Sequence, residues 1–186
     1  DAQALVCIHG ANNETGVIQP VEAITMLCER YQALFVCDLV QWVGRLPLGN
    51  ARPHALVVSA HKVGGPAGIG AILYDHRRLH MMRPLIRGGG QEKGLRAGTE
   101  NAIGIVGFAA ALHEAVATMQ DEQVRLAGLR DDFEKRLLHT HGDAVIFGRG
   151  SPRLAGTSCF ALPGHEAALA LMQLDLDGIA VSSGSA

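Results

Sequence analysis

A lysine stands between an apolar segment and a glycine-rich loop in VVSAHKVGGPAGIG, residues 57–70. Lysine amines add to aldehydes to form Schiff bases, so Lys62 is a candidate nucleophile. Two other apolar segments are also followed by polar side chains: CDLVQ brings Asp38 and Gln41, and ANNETG brings Asn13. The groups available for chemistry are therefore an amine, a carboxylate and two amides.

This set of groups suits pyridoxal phosphate, whose aldehyde reacts with a lysine. Its pyridine nitrogen needs a carboxylate partner to stay protonated, because the positive ring stabilises a carbanion at the α-carbon of the substrate. Asp38 suits that role, and Gln41 or Asn13 can donate a hydrogen bond to the ring hydroxylate. Ser59 and His61 can hold the phosphate. The lysine of the SAHK motif is then the cofactor anchor.

Each of these residues also has an ordinary structural interpretation. Asp38 can cap a turn, Asn12 and Asn13 are common turn formers, and a lysine at the mouth of a loop is often a surface charge. Position favours a site, because ligands of open α/β sheets bind beyond the carboxyl ends of the strands. Three successive predicted strands place these side chains at one edge of a sheet.

The order of periodic patterns predicts an α/β fold. Apolar segments at residues 4–9 and 33–38 flank a helical pattern that opens at Pro20, which makes a βαβ unit. Nearly continuous apolar segments at 55–60 and 69–74 add two strands, as expected of a buried, mostly parallel sheet.

A second, smaller α/β layer is predicted after a long helix. The helical pattern runs from residue 101 to about 141 and carries an apolar stripe that includes Leu129 and Phe133. The boundary between the layers is expected within residues 107–121. The short elements that follow are predicted as strands at 144–147, 156–162 and 179–182 and a helix at 165–174.

Composition limits the classes of function. Of the 186 residues, 48% are hydrophobic and 18% charged, which is enough apolar material for a substantial core. A net charge of −2 gives no general attraction for nucleic acid or acidic membranes. Since we find neither a signal-peptide pattern nor an apolar run of about 20 residues, we expect a soluble cytoplasmic protein. The cysteines lie in apolar segments without a C-x-x-C pair, which predicts buried thiols rather than disulfides or a metal site: Cys7, Cys28, Cys37 and Cys159.

Two other classes of ligand are weaker interpretations of the same segments. GGPAGIG lacks both the G-x-G-x-x-G and the G-K-[ST] patterns of nucleotide loops. Residues 75–96 contain six Lys or Arg and only two acidic residues, Asp75 and Glu92. This basic segment can bind RNA or a protein, but it is more simply interpreted as a solvated segment near a phosphate site. A salt-dependent gel shift with RNA distinguishes these two interpretations.

Several motifs together resemble the cysteine desulfurases, which are pyridoxal-phosphate enzymes. The motifs are ANNETGVIQP, CDLVQWVGRLPL, SAHKVGGPAGIGAILY, RGGGQEKGLRAGTEN and the terminal VSSGSA, and they occur in order over residues 5–186. The GGGQEKGLRAGTEN motif favours the iron–sulfur-cluster and nitrogen-fixation type. The resemblance implies fold type I of the pyridoxal-phosphate transferases, similar to aspartate aminotransferase. It also implies the C-terminal part of the large domain in residues 1–115 and the start of the small domain in 116–186.

The resemblance assigns the same roles to the site residues. It makes Lys62 the Schiff-base lysine and a base in catalysis, Asp38 the partner of the pyridine nitrogen, and Gln41 the contact to the ring hydroxylate. Asn13 is expected between ring and substrate. The residues expected at the phosphate are Ser59, His61 and Thr99, of which Thr99 reaches the site of the neighbouring subunit and so implies a homodimer.

The activity implied is release of sulfur from L-cysteine, with L-alanine and an enzyme-bound persulfide as products. A sulfur-acceptor or scaffold protein for iron–sulfur clusters is the implied partner. The family's nucleophilic cysteine follows SSGSA directly, beyond Ala186, so we expect the 186-residue chain alone to be inactive. The alternatives are a non-catalytic fragment or scaffold of the same fold, a selenocysteine lyase-like protein, or another class-V aminotransferase relative.

Overall fold

The computed structural model of the protein describes residues 3–79 and 83–184. Its strands are β1 (Leu5–His9), β2 (Leu34–Asp38), β3 (Ala55–Ser59), β4 (Gly70–Tyr74), β5 (Val145–Ile146) and β6 (Phe160–Ala161). Its α-helices are α1 (Val21–Arg30), α2 (Ala102–Thr140) and α3 (Ala167–Leu176), and 3₁₀ helices cover Ala60–Val63 and Gln91–Gly94. There are two compact units. The first contains the residues up to Gly10 and Gln19–Met119, and the second contains Ala11–Ile18 and the residues from Gln120 onward.

The first unit is built on a four-stranded sheet in the order β1-β2-β3-β4. β1, β2 and β3 are parallel, and β4 is antiparallel to β3. α1 connects β1 to β2, which confirms the predicted βαβ unit and the mostly parallel sheet. All four strands begin and end within one residue of the bounds predicted from apolar periodicity.

The core of the first unit is centred on β2. Phe35 and Cys37 are 0% exposed, and they lie on one face because alternate side chains of a strand share a face. α1 buries Val21 and Cys28 in the same cluster, and α2 buries Phe108. Each such apolar side chain stabilises the fold by about 1.5–3 kcal/mol relative to an exposed one, so β2 is firmly anchored.

The burial of the four cysteines agrees with the prediction except on the edge strand β1. Cys28 and Cys37 are buried as predicted, and Cys159 is half-buried. The prediction is wrong for Cys7, which is exposed because no other described residue covers its face of β1. All four cysteines are free thiols.

α2 confirms the long helix predicted over residues 101–141. Its apolar stripe is less buried than expected, since Leu129 is 58% exposed and Phe133 43% exposed. By length and composition alone α2 could also cross a membrane, because an 18-residue window reaches a mean hydropathy of 1.6. Mostly buried core helices of water-soluble proteins pass the same test, but only 11% of this window is buried. Phe108 and Leu112 are the residues of α2 that pack in the core of the first unit.

The second unit contains the later, smaller elements. β5 pairs with β6 in antiparallel register, and the ring of Phe133 lies 5.6 Å from that of Phe160. Both strands are shorter than predicted, and α3 begins two residues later than the predicted helix. The predicted strand at 179–182 is wrong. The N–H of Ile179 donates to the carbonyl of Leu174 at the end of α3, and residues 179–182 pair with no other described segment.

A buried ion pair stabilises the second unit. Arg153 donates from both terminal nitrogens to the carboxylate of Glu134 (2.8 and 3.0 Å), and the two side chains are only 6% and 7% exposed. Ser158 Oγ donates to the same carboxylate (2.8 Å). These hydrogen bonds, first that from Arg153, hold the pKa of Glu134 below its usual value against the opposing effect of burial.

Replacing Arg153 with methionine should lower the free energy of unfolding by about 3 kcal/mol or more, because it leaves the Glu134 carboxylate buried without the cation that bonds it. Urea denaturation of the complete protein measures this loss. The matched control is Arg125→Met, since Arg125 pairs with Glu122 at the surface, where a salt bridge contributes less than about 1 kcal/mol. Equal losses in the two variants would contradict the assigned role of the buried pair.

A buried histidine joins β2 to β3 in the first unit. The ring Nδ1 of His54 accepts the N–H of Phe35 (3.1 Å), so this nitrogen carries no proton, and Arg78 NH2 lies 3.3 Å from Nε2. Burial first, and then the charge of Arg78, lower the pKa of His54, although Glu29 and Asp75 oppose the shift. A histidine whose pKa is lower in the folded state stabilises the fold fully above its unfolded pKa of about 6.5, and this stability is lost as the pH falls below it.

We therefore expect the thermal unfolding midpoint of the protein to decrease as the pH is lowered from 7.5 to 5. The decrease should be smaller in a His54→Gln variant. The glutamine can still accept the Phe35 N–H through its side-chain oxygen but does not titrate. Thermal unfolding by circular dichroism at several pH values measures the difference, with His113→Gln on the exposed surface of α2 as control. An unchanged pH dependence in His54→Gln would refute the role of this ring.

Candidate active site

The predicted site residues of the first unit follow the carboxyl ends of adjacent parallel strands. Asp38 is the last residue of β2 and Ser59 the last residue of β3. Asp38 pairs with Val57 in the sheet register, so Ser59 lies two residues beyond that pair. With a strand spacing of about 4.8 Å and a rise of about 3.3 Å per residue, the Cα atoms of Asp38 and Ser59 are roughly 8 Å apart. The fold therefore brings the carboxylate of β2 near the residues that follow β3.

The carboxylate of Asp38 is exposed and held by its own loop. Its Oδ1 accepts the N–H of Val40 at 2.8 Å, and Val40 is its only donor within the described part of the chain. Leu39 points the other way and is 1% exposed in the core. The loop is thus pinned by an apolar side chain, while the Oδ2 atom of Asp38 remains available to a cationic N–H of a ligand.

Lys62 lies in the 3₁₀ helix Ala60–Val63 directly after β3 and is exposed. The turn that carries it ends at Gly64, whose φ of +82° favours glycine, and the N–H of Gly65 donates to the carbonyl of Ala60 (2.9 Å). Within the described residues the Lys62 amine forms no ion pair or hydrogen bond. It is thus an available nucleophile on a fixed turn.

Ser59 and His61 form a hydroxyl–imidazole pair beside this lysine. Ser59 Oγ lies 2.8 Å from His61 Nδ1. A hydroxyl and an imidazole N–H can each donate to a phosphate oxygen, so either member of the pair can bind an anion. This geometry suits their predicted role as phosphate ligands.

Arg45 is a residue of the site that the sequence prediction missed. Its NH1 donates to the backbone oxygen and to the side-chain Oε1 of Gln41, both at 2.9 Å, and its NH2 donates to the backbone oxygen of Lys62 at 2.8 Å. Burial lowers the pKa of the Arg45 guanidinium. Its position four residues after Gln41, in a segment of helical turns, was the available signal.

Thr99 lies in a loop that is folded on itself. Arg96 donates to the carbonyl of Gly98 (2.9 Å), and Gln91 Oε1 accepts the N–H of Gly98 (3.3 Å). Thr99 itself is exposed, and it makes no hydrogen bond to the strand-end residues in the described ranges. Its contact with the phosphate of a neighbouring subunit stays a prediction.

Asn13 belongs to the second unit, in the segment Ala11–Ile18. The side chain of Asn12 has the structural role expected of a turn former, because its Oδ1 accepts the N–H groups of Glu14 and Thr15 (3.0 and 2.9 Å). Asn13 is exposed beside this turn, and its place between ring and substrate stays a prediction. The nucleophilic cysteine expected directly after Ala186 lies outside the described residues.

The donor set at the strand ends fits pyridoxal phosphate. An exposed carboxylate with one open oxygen suits a protonated pyridine nitrogen, an amine suits the aldehyde, and the hydroxyl–imidazole pair suits the phosphate.

No group of three or more His, Cys, Asp or Glu residues within 3–79 and 83–184 can hold a metal ion.

Comparison with known proteins agrees with this chemistry. Residues 1–186 match the family described as aminotransferase class-V. The chain is 44% identical to a cysteine desulfurase of Klebsiella pneumoniae over 98% of its own length and 46% of that protein, and 40% identical to the cysteine desulfurase NifS of Azotobacter vinelandii over 100% and 46%. Among solved structures it is similar to a NifS-like protein from Rickettsia africae, with a TM-score of 0.92 and 34% identity over 98% of the chain and 51% of that structure. The chain thus spans about half the length of the curated relatives it matches.

Proposed function

The chain belongs to the class-V aminotransferase family, and from this premise we propose that it forms part of a pyridoxal-phosphate-dependent cysteine desulfurase. The observation that carries the proposal is the placement of Asp38 and Lys62 after adjacent parallel strands, in a chain 44% identical to a cysteine desulfurase. The proposed reaction converts L-cysteine to L-alanine and transfers its sulfur to an enzyme thiol as a persulfide. An acceptor protein then takes the sulfur for iron–sulfur clusters or another product.

The residues after β2 and β3 would hold the cofactor at its ring nitrogen, its ring hydroxylate and its phosphate. Asp38 would bind the pyridine N–H through the oxygen that Val40 does not occupy. Gln41 would donate its amide to the ring hydroxylate, and Ser59 with His61 would bind the phosphate. When bound, pyridoxal phosphate supplies an acceptor for the electron pair left at the substrate α-carbon.

Lys62 would both attach the cofactor and move a proton. Its Nζ would take the proton from the α-carbon of L-cysteine, acting as a general base. A short fixed turn positions the amine, and the exposed side chain leaves it room to move between attachment and proton transfer. The same residue then returns a proton to complete alanine.

One further part of the proposal concerns the oligomeric state. We propose a homodimer in which Thr99 binds the phosphate in the partner subunit's site, so that each site needs two subunits. The exposed position of Thr99 at the end of a loop that is braced by Arg96 is compatible with such a contact.

The test is an assay of the complete protein supplied with pyridoxal phosphate and L-cysteine. We expect alanine and sulfide in equal amounts in the presence of a thiol reductant, because the reductant releases the persulfide sulfur. D-cysteine serves as the stereochemical control and L-selenocysteine as the competing substrate. Absence of alanine from L-cysteine, with the cofactor bound, would refute the proposal.

A further inference from the structure

We propose that Arg45 is a positioning residue that fixes the side-chain amide of Gln41 and the turn of Lys62 with one guanidinium group. This inference rests on the proposed function, because Gln41 and Lys62 are the residues proposed to bind the cofactor. The guanidinium makes hydrogen bonds to both loops: 2.9 Å to Gln41 Oε1 and 2.8 Å to the backbone oxygen of Lys62.

The contact with Gln41 determines which end of its amide faces a ligand. A guanidinium group carries only donors, so the atom that meets it must be the amide oxygen. The Gln41 oxygen is thereby occupied, and its NH₂ group is the end left to make new contacts. Arg45 thus turns a side chain that can donate or accept into a donor, which is what an anionic ring oxygen requires.

The contact with Lys62 ties the second loop to the first. The NH2 group donates to the carbonyl oxygen of Lys62, 17 residues further along the chain, while NH1 holds the backbone oxygen of Gln41 (2.9 Å). An arginine can make both contacts because its donors form a rigid planar fork, which a lysine lacks. The half-buried position of Arg45 strengthens these bonds relative to exposed ones.

A consequence follows for the protonation of the bound cofactor. A hydrogen bond to an anionic oxygen stabilises the anion and lowers the pH at which it forms. Loss of Arg45 lets the Gln41 amide rotate and weakens this bond, so the visible absorbance band of the bound cofactor should titrate at higher pH.

The main experiment is a double-mutant cycle on the complete protein loaded with pyridoxal phosphate. Arg45→Met and Gln41→Leu should each raise the midpoint of the absorbance titration by about half a pH unit or more. The double variant should shift the midpoint little more than Gln41→Leu alone, because Arg45 acts through the Gln41 amide. Arg52→Met is the matched control and should leave the midpoint unchanged. Within residues 3–79 and 83–184 the Arg52 side chain bonds only the nearby carbonyls of Gly49 and Ala51.

Additive shifts in the double variant, or an unshifted midpoint in Arg45→Met, would overturn the inference. A second measurement does not need the cofactor: hydrogen exchange read by mass spectrometry on the cofactor-free protein. Arg45→Met should speed exchange in peptides covering residues 39–46 and 60–66 together, and Arg52→Met should not affect 60–66. If wild-type protein shows no cofactor band, the proposed function fails. The exchange data then decide whether Arg45 joins the two loops, and unchanged exchange at 60–66 would refute that.

Discussion

Replacing Lys62 with alanine is expected to abolish covalent attachment of the cofactor and to lower turnover of L-cysteine by about a thousand-fold or more. The variant loses the amine that attaches the cofactor and the base that moves the α-proton, and general acid–base catalysis alone contributes about 10²–10⁴-fold. The fold should be unaffected, since the Lys62 side chain is exposed. Turnover of L-cysteine and the cofactor absorbance spectrum measure the two losses.

Lys135→Ala is the control for this variant, because Lys135 is an exposed lysine of α2 in the second unit. It should keep wild-type turnover and spectrum. Addition of a small primary amine such as methylamine to Lys62→Ala should restore part of the proton transfer. Wild-type turnover by Lys62→Ala would remove this residue from the mechanism.

Replacing Asp38 with asparagine should lower turnover on the order of a hundred- to a thousand-fold, the effect of losing one well-placed electrostatic contact. Asparagine keeps an oxygen for the Val40 N–H, so the loop after β2 should retain its shape while the negative charge is lost. Without that charge the pyridine nitrogen is no longer kept protonated, and the ring accepts electrons less well.

The measurement is turnover at saturating L-cysteine together with cofactor affinity, so that a binding defect is separated from a chemical one. Asp121→Asn, at an exposed position of α2, is the control for the same chemical change. Equal turnover in Asp38→Asn and wild type would show that this carboxylate does not serve the ring.

Much of the fold was predictable because β2 and its neighbours are apolar on nearly every residue. Buried parallel strands need such runs, and their ends are marked by the first polar side chains, here Asp38 and Ser59. The same ends carry the site, so the strand prediction and the site prediction depend on one pattern. The resemblance to cysteine desulfurases added roles that periodicity does not provide.

The remaining features depend on contacts between distant residues. Arg45 meets the carbonyl of Lys62 across 17 positions of sequence, and neither residue type nor spacing indicates that bond. The strand predicted at 179–182 failed because strand formation needs a partner, which an apolar pattern alone does not supply. Cys7 was predicted to be buried because its sequence neighbours are apolar, but it is exposed. Apolar neighbours do not show whether another element packs on that face of β1.

The central claim is that Lys62 anchors pyridoxal phosphate, and peptide mapping after borohydride reduction tests it most directly. Reduction of the complete protein with bound cofactor makes the attachment permanent, and digestion followed by mass spectrometry locates the added mass. The 186-residue sequence contains three lysines, Lys62, Lys93 and Lys135, which fall in well-separated peptides. The account predicts the modification on Lys62 alone, and a modification on Lys93 or Lys135 with Lys62 unmodified would contradict it.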